Sequence, residues 1–199
     1  IGIENYGRDI VKMLISHKHK FILLHAGKCA GVSIRQSLNS ITDEDKIKIA
    51  INHPTLAECQ EIIRQSNYDP EEYMIVAMVR NPFDRMVSWY YHSLYKAKSF
   101  SGSFEDFCDD RLSVASENLI PPYDKCNHII RFENLQGDFN KFLDALGFPS
   151  HNLPHKNKSM SKGKKHYSTL YTKKTKEITA NYFASVIEMF NYEFEDKKC

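Results

Sequence analysis

Residues Phe21–Ile34 read FILLHAGKCAGVSI, and no other stretch of the chain narrows its fold as much. Lys20–His25 is a short apolar run that stops at a turn carrying Gly27, Lys28 and Gly31. Gly31–Ser40 follows at once, with Ile34, Leu38 and Ile41 at helical spacing. A continuous apolar run this short is the pattern of a strand buried on both faces, and its direct passage into a helix is the repeating unit of α/β sheets. The turn also has the form that binds phosphate-like anions. Its amides converge, glycine permits close approach, and the helix N-terminus adds partial positive charge. Lys28 would add a full charge and Ser33 a hydroxyl. Taken alone, the passage is equally a plain strand–helix connection. It is not a Walker A loop, because Ile22 holds the first glycine position and Cys29 follows the lysine.

A second passage, Tyr73–Tyr90, reads YMIVAMVRNPFDRMVSWY. Tyr73–Val79 predicts another buried strand. Asn81 and Pro82 then supply an N-cap and a first helical residue whose missing N–H removes no helical bond. Met86, Val87, Tyr90, Tyr91 and Leu94 line one face of that helix. Arg80 falls at the strand end, where open α/β sheets bind ligands, and Ser88 follows two turns into the helix, with Arg85 nearby. Guanidinium and hydroxyl could grip one phosphate from two sides. The competing reading pairs Arg80 with Asp84 in a structural ion pair and leaves Ser88 as a small helix residue.

The remaining pattern predicts a short strand at Lys48–Ile51, helices at Pro54–Gln65 and Leu135–Leu146, a third strand at His128–Phe132 and a long helix at Thr172–Phe190. Gly147 and Pro149 end the second of these helices. Residues 150–170 read as a polar loop. Strands alternating with helices give an α/β fold: a single P-loop-like domain over residues 1–199 with a central parallel sheet flanked by helices. The formal net charge is only +2, so composition does not call for nucleic acid. The basic excess is local, running without an acid through residues 156–176. That run is either a solvated loop and helix end or the rim of an anion site. The five scattered cysteines contain no CxxC pair, which argues against a disulfide framework and toward a reducing, cytoplasmic setting. No segment has the length and apolarity of a membrane span, and the opening residues lack a signal-peptide pattern. Because the sequence opens on Ile1, a leader or anchor upstream stays open.

Together the two passages resemble the sulfotransferases that use 3′-phosphoadenosine 5′-phosphosulfate (PAPS). HAGKCAGVSI resembles that family's 5′-phosphosulfate loop, HxPKCAGTS, and VRNPFDRMVSWYYH its 3′-phosphate motif, RxPxxRxxSxY. IIRFENLQGDFNKFLDALGF, LPHKNKS and YTKKTKEITANYF resemble the C-terminal half of the carbohydrate-type branch, family 2. The likeness runs from about Phe21 to about Phe194. It departs at Gly27, where proline is usual, and at Val32, where a Thr or Ser hydroxyl is lost.

The resemblance implies sulfuryl transfer from PAPS to a hydroxyl acceptor on a carbohydrate, with PAP as product and no metal; the charge and hydropathy readings above add the expectation of no nucleic acid and no membrane segment in this chain. It implies that Gly27, Lys28, Cys29, Ala30, Gly31, Val32 and Ser33 hold the 5′ end, that Arg80 and Ser88 hold the 3′-phosphate, and that Lys162 is a further cofactor-binding residue in the basic run. Lys28 would act on the leaving group. His53, in INHPTLAE, would be the general base, with His25 as runner-up and His92 and His155 behind them; the plainer reading of His53 is a helix cap or surface residue. Acceptor-side loops are expected at Lys96–Pro122 and His151–Tyr171, and Trp89, Tyr90, Tyr91 and Tyr95 either stack on sugar rings or fill the core. Two other readings stand beside this one: a nucleotide or small-molecule kinase, and a non-catalytic PAP-binding module.

Overall fold

The computed structural model describes residues 12–41, 46–52, 55–113, 120–154 and 166–197. Among the described residues five strands form one sheet: β1 (Lys12–Ser16), β2 (Phe21–Leu24), β3 (Lys46–Asn52), β4 (Met74–Val79) and β5 (His128–Arg131), in the order β3-β1-β2-β4-β5. β2, β4 and β5 are parallel, with Leu24 opposite Ala77 and Val79 opposite Arg131. β1 runs antiparallel to both β2 and β3, so β3 points the same way as β2. The expected α/β sheet flanked by helices is present, and β1 is an addition to it that makes the sheet mixed. β1 leaves little trace in the sequence, because it is only five residues long and is returned to β2 by a four-residue turn ending in left-handed Lys20 (φ 49°).

Side-chain alternation along β2 and β4 builds two apolar layers. Phe21, Leu23, Val76 and Met78 pack with Ile34 and Leu38 of α1 (Gly31–Ile41) and with Phe139, Phe142 and Leu143 of α5 (Leu135–Ala145). Ile22, Leu24, Ala77 and Val79 join the opposite layer. That layer is covered by α2 (Leu56–Gln65), α3 (Pro82–Tyr91), α4 (Phe104–Leu112), α6 (Lys173–Tyr182) and α7 (Ala184–Phe190). All four β2 side chains are at most 3 % exposed. Burial of that kind contributes roughly 1.5–3 kcal/mol per large apolar side chain, and it fixes β2 and β4 rigidly beside each other.

Helix ends follow local chemistry. Asn81 caps α3 by accepting from the Phe83 amide, with Pro82 at the first helical position. α5 closes in a Schellman motif: Phe148 N donates to Leu143 O, Gly147 N donates to Asp144 O, and Gly147 takes φ 77°, which favours glycine. Three expectations change. The stretch 96–122 holds α4, started by a capping box between Ser103 and Asp106. α3 passes into a π turn at His92–Lys96 instead of running on regularly. The helix expected over Thr172–Phe190 is broken at Phe183, which leaves helical geometry (φ −101°, ψ 23°) while its ring is buried in the core.

Candidate active site

Because β2 and β4 are parallel neighbours, the turn after Leu24 and the residue after Val79 emerge at the same sheet edge. The turn is held in an unusual shape. Lys28 and Ala30 both take left-handed backbone, φ 68° and φ 66°. A non-glycine residue there costs about 1–2 kcal/mol, so other contacts must hold it. They come from the second passage. Arg80 Nη1 donates to the Lys28 carbonyl at 2.9 Å, and Arg85 Nε donates to the Gly27 carbonyl at 2.9 Å. The Ala30 carbonyl accepts from Ser33 N and Ile34 N and starts α1. The His25 imidazole covers Gly31: a Cβ there would lie 2.4 Å from His25 Nε2, so any larger residue must displace that ring. A Cβ at Gly27 would meet nothing within 4 Å, so the departure from proline there is not forced by crowding.

The loop's side chains divide between core and rim. Cys29 is fully buried, and its thiol lies 3.6 Å from the Gly27 carbonyl. Burial pushes that thiol's pKa up, while the Arg85, Arg80 and Lys28 charges pull the other way. The thiol itself is buried in the core and packs with Ala26, Ile34 and their neighbours. Lys28 and Val32 are half-buried, and Ser33 is buried in the first turn of α1.

Arg80 makes the ion pair that the sequence set against its phosphate role. Its Nε and Nη2 donate to Asp84 Oδ2 at 2.8 and 2.6 Å, and its guanidinium lies 3.9 Å over the Phe132 ring. The same guanidinium still reaches the Lys28 carbonyl, so both passages meet on one side chain. Ser88 stands one helical turn beyond Asp84, half-buried. The Asn81 amide donates to Glu133 Oε1 at 2.7 Å, and Tyr192 donates to the other oxygen of that carboxylate at 3.0 Å, which ties the start of α3 to β5's exit and the C-terminal tail.

Two assigned residues, His53 and Lys162, and the weaker candidate His155 lie outside the described residues. β3 ends at Asn52, immediately before His53, and its direction brings that end to the same sheet edge as the turn. His92 begins the π turn. Of the aromatic residues, Tyr90 is core, with its hydroxyl on the Gly102 carbonyl at 2.9 Å, whereas Tyr95 is 62 % exposed and stacks on Tyr91 with centroids 5.9 Å apart. Among the described residues no cluster of three or more His, Cys, Asp or Glu side chains could hold a metal ion, and no helix is long and apolar enough to cross a membrane.

A family model for the sulfotransferase family, family 2, matches residues 11–195. The chain belongs to that family. No curated protein and no solved structure matches it. As a sulfotransferase it is a transferase enzyme acting in sulfuryl transfer, and the matched span takes in both passages and every element of the sheet. The residue that sequence reasoning noted without a role, Arg85, proves to hold the turn. Its signal was weak: a charged residue set among the buried positions Phe83, Met86 and Val87 of α3.

Proposed function

We propose that this sulfotransferase takes the sulfuryl group from PAPS and passes it to a carbohydrate hydroxyl. The observation that carries the reading is the Arg80 bond to the Lys28 carbonyl, which joins a 5′-anion turn and a 3′-phosphate motif into one site. The residues fit such a donor. Left-handed Lys28 and Ala30, the first turn of α1, the Lys28 charge and the two arginines bonded to the turn favour an anion there. Arg80 and Ser88 lie on the flank where a second phosphate would sit, and that phosphate separates PAPS from ATP and ADP. Docking it on Arg80 requires the guanidinium to share or leave Asp84.

In the proposed reaction the bond between sulfur and the leaving phosphate oxygen breaks, and a new sulfur–oxygen bond forms to the acceptor. Lys28 stabilises charge on the leaving oxygen, and the turn amides with Ser33 hold the 5′-phosphate. His53 takes the acceptor's proton. Extending the β1–β2 register by two residues sets His25 level with Lys12, which pairs with Asn52. Asn52 would then lie two strands, about 10 Å, from the turn. The kinase reading is disfavoured by Cys29, whose buried thiol stands where a Walker loop needs an exposed hydroxyl for Mg²⁺.

The test is transfer of ³⁵S from PAPS to a panel of carbohydrate hydroxyls in EDTA, with wild type, His53→Ala and His25→Ala. Loss of the base lowers rate by about 10²–10⁴-fold, so His53→Ala should lose transfer while retaining PAP affinity, and should lose the rise in activity through a histidine ionisation. A His53→Ala enzyme within a few-fold of wild type beside a dead His25→Ala enzyme would move the base to His25.

A further inference from the structure

We propose that Arg85 is a positioning residue for the donor's 5′ end, acting through the Gly27–Lys28 peptide without touching the nucleotide. The proposal rests on the donor reading above and gives Arg85, which that reading counts only as a nearby charge, a task of its own. Arg85 is 5 % exposed, so almost none of it is open to a ligand in the site. It lies under the turn, over the Phe183 ring at 5.6 Å, with Nε donating to the Gly27 carbonyl at 2.9 Å. Burying a guanidinium is costly unless its donors are used, and here one is spent on the turn's main chain.

The consequence follows from peptide geometry. A trans peptide directs its C=O and N–H to opposite sides, and the described residues contain no cis bond. Pinning the Gly27 carbonyl inward on Arg85 therefore turns the Lys28 N–H outward. Arg80 pins the Lys28 carbonyl and so does the same for the Cys29 N–H. Each of two successive amides is thus turned away from the arginine that holds its carbonyl, in a backbone that left-handed Lys28 would not adopt unaided. The two arginines divide the work. Arg80 is half-buried and can also meet a ligand, whereas Arg85 is sealed beneath the turn and keeps its shape whether or not the 3′ side is occupied.

The experiment is isothermal titration of wild type, Arg85→Met and Arg85→Lys with 5′-AMP, 3′-AMP and PAP, in EDTA, alongside circular dichroism. Arg85→Met keeps volume and removes the donors; Arg85→Lys keeps the charge and one donor. The expected result for Arg85→Met is a loss of roughly tenfold or more for 5′-AMP and PAP, the scale of a hydrogen bond to a charged group, with 3′-AMP little changed and Arg85→Lys intermediate. A folded Arg85→Met protein that binds 5′-AMP and PAP as wild type does, or that loses 3′-AMP by the same factor, would overturn the proposal, the second outcome marking a merely structural role. If Arg85→Met does not fold, Arg85→Lys is judged by the same two criteria. Wild type that binds none of the three nucleotides would overturn the donor reading itself, and the proposal with it.

Discussion

Arg80 and Lys28 stand 52 positions apart in the chain, yet the guanidinium of one holds the main-chain carbonyl of the other at 2.9 Å. The parallel pairing of β2 with β4 makes this possible, since it delivers the two strand ends side by side. The bond couples the part of the site suited to a 5′-phosphosulfate with the part suited to a 3′-phosphate.

Lys28 is expected to matter most as charge develops on the leaving oxygen. Lys28→Ala should lower kcat by at least about 10²-fold, the scale of losing one preorganised oxyanion stabiliser, while PAP affinity falls much less. Single-turnover kinetics with PAPS beside PAP titration checks this, and near wild-type turnover would make the turn structural.

Gly31 and His25 should behave as a coupled pair. A methyl at position 31 must displace the imidazole 2.4 Å away, so Gly31→Ala should destabilise the protein by about 1–3 kcal/mol, the usual range for overpacking. His25→Ala opens the space, and the double variant should recover most of that loss. Urea unfolding of all four proteins measures the coupling, and strict additivity would deny the contact.

Stability should fall on the alkaline side. Burial pushes the thiols of Cys59, Cys108 and Cys126 up to about 12, and raises the hydroxyls of Tyr90 and Tyr171 as well. A raised folded pKa means that the unfolded chain releases its proton first, so this stability is complete below the unfolded value and is lost as pH rises through the folded one. Each thiol should remove roughly 1.4 kcal/mol per pH unit above about pH 8.5. The Tm followed from about pH 8 to about pH 10.5 should decline steadily over this window; a flat profile would contradict the burial.

Local chemistry was the legible part of the site. The Gly27–Lys28 turn, the cap at Asn81 and the eight-residue step from Arg80 to Ser88 are each contained in one short segment. Arg85's bond to Gly27 joins positions 58 apart and depends on strand order, which no local pattern encodes. In the fold, β2 and β4 were plain because their apolar runs are buried, whereas β1 is short, mixed in character and paired on one side with β3, about 30 or more positions away in the chain. α4 could have been found: Ser103 and Asp106 are spaced as a capping box, and Phe104, Phe107, Cys108 and Leu112 follow helical spacing. The break at Phe183 is set by tertiary packing of its ring, which overrides a continuous helical pattern.

Comparison of PAP with 5′-AMP, by calorimetric titration in EDTA of wild type and Arg80→Ala, is the most direct test of the donor assignment. Wild type should bind PAP more tightly than 5′-AMP by tenfold or more, the worth of roughly one or two charge-assisted hydrogen bonds to the 3′-phosphate. Arg80→Ala should erase most of that difference, lowering PAP affinity far more than that of 5′-AMP. Equal affinity of wild type for the two nucleotides would contradict a 3′-phosphate site at Arg80 and Ser88, and with it the use of PAPS.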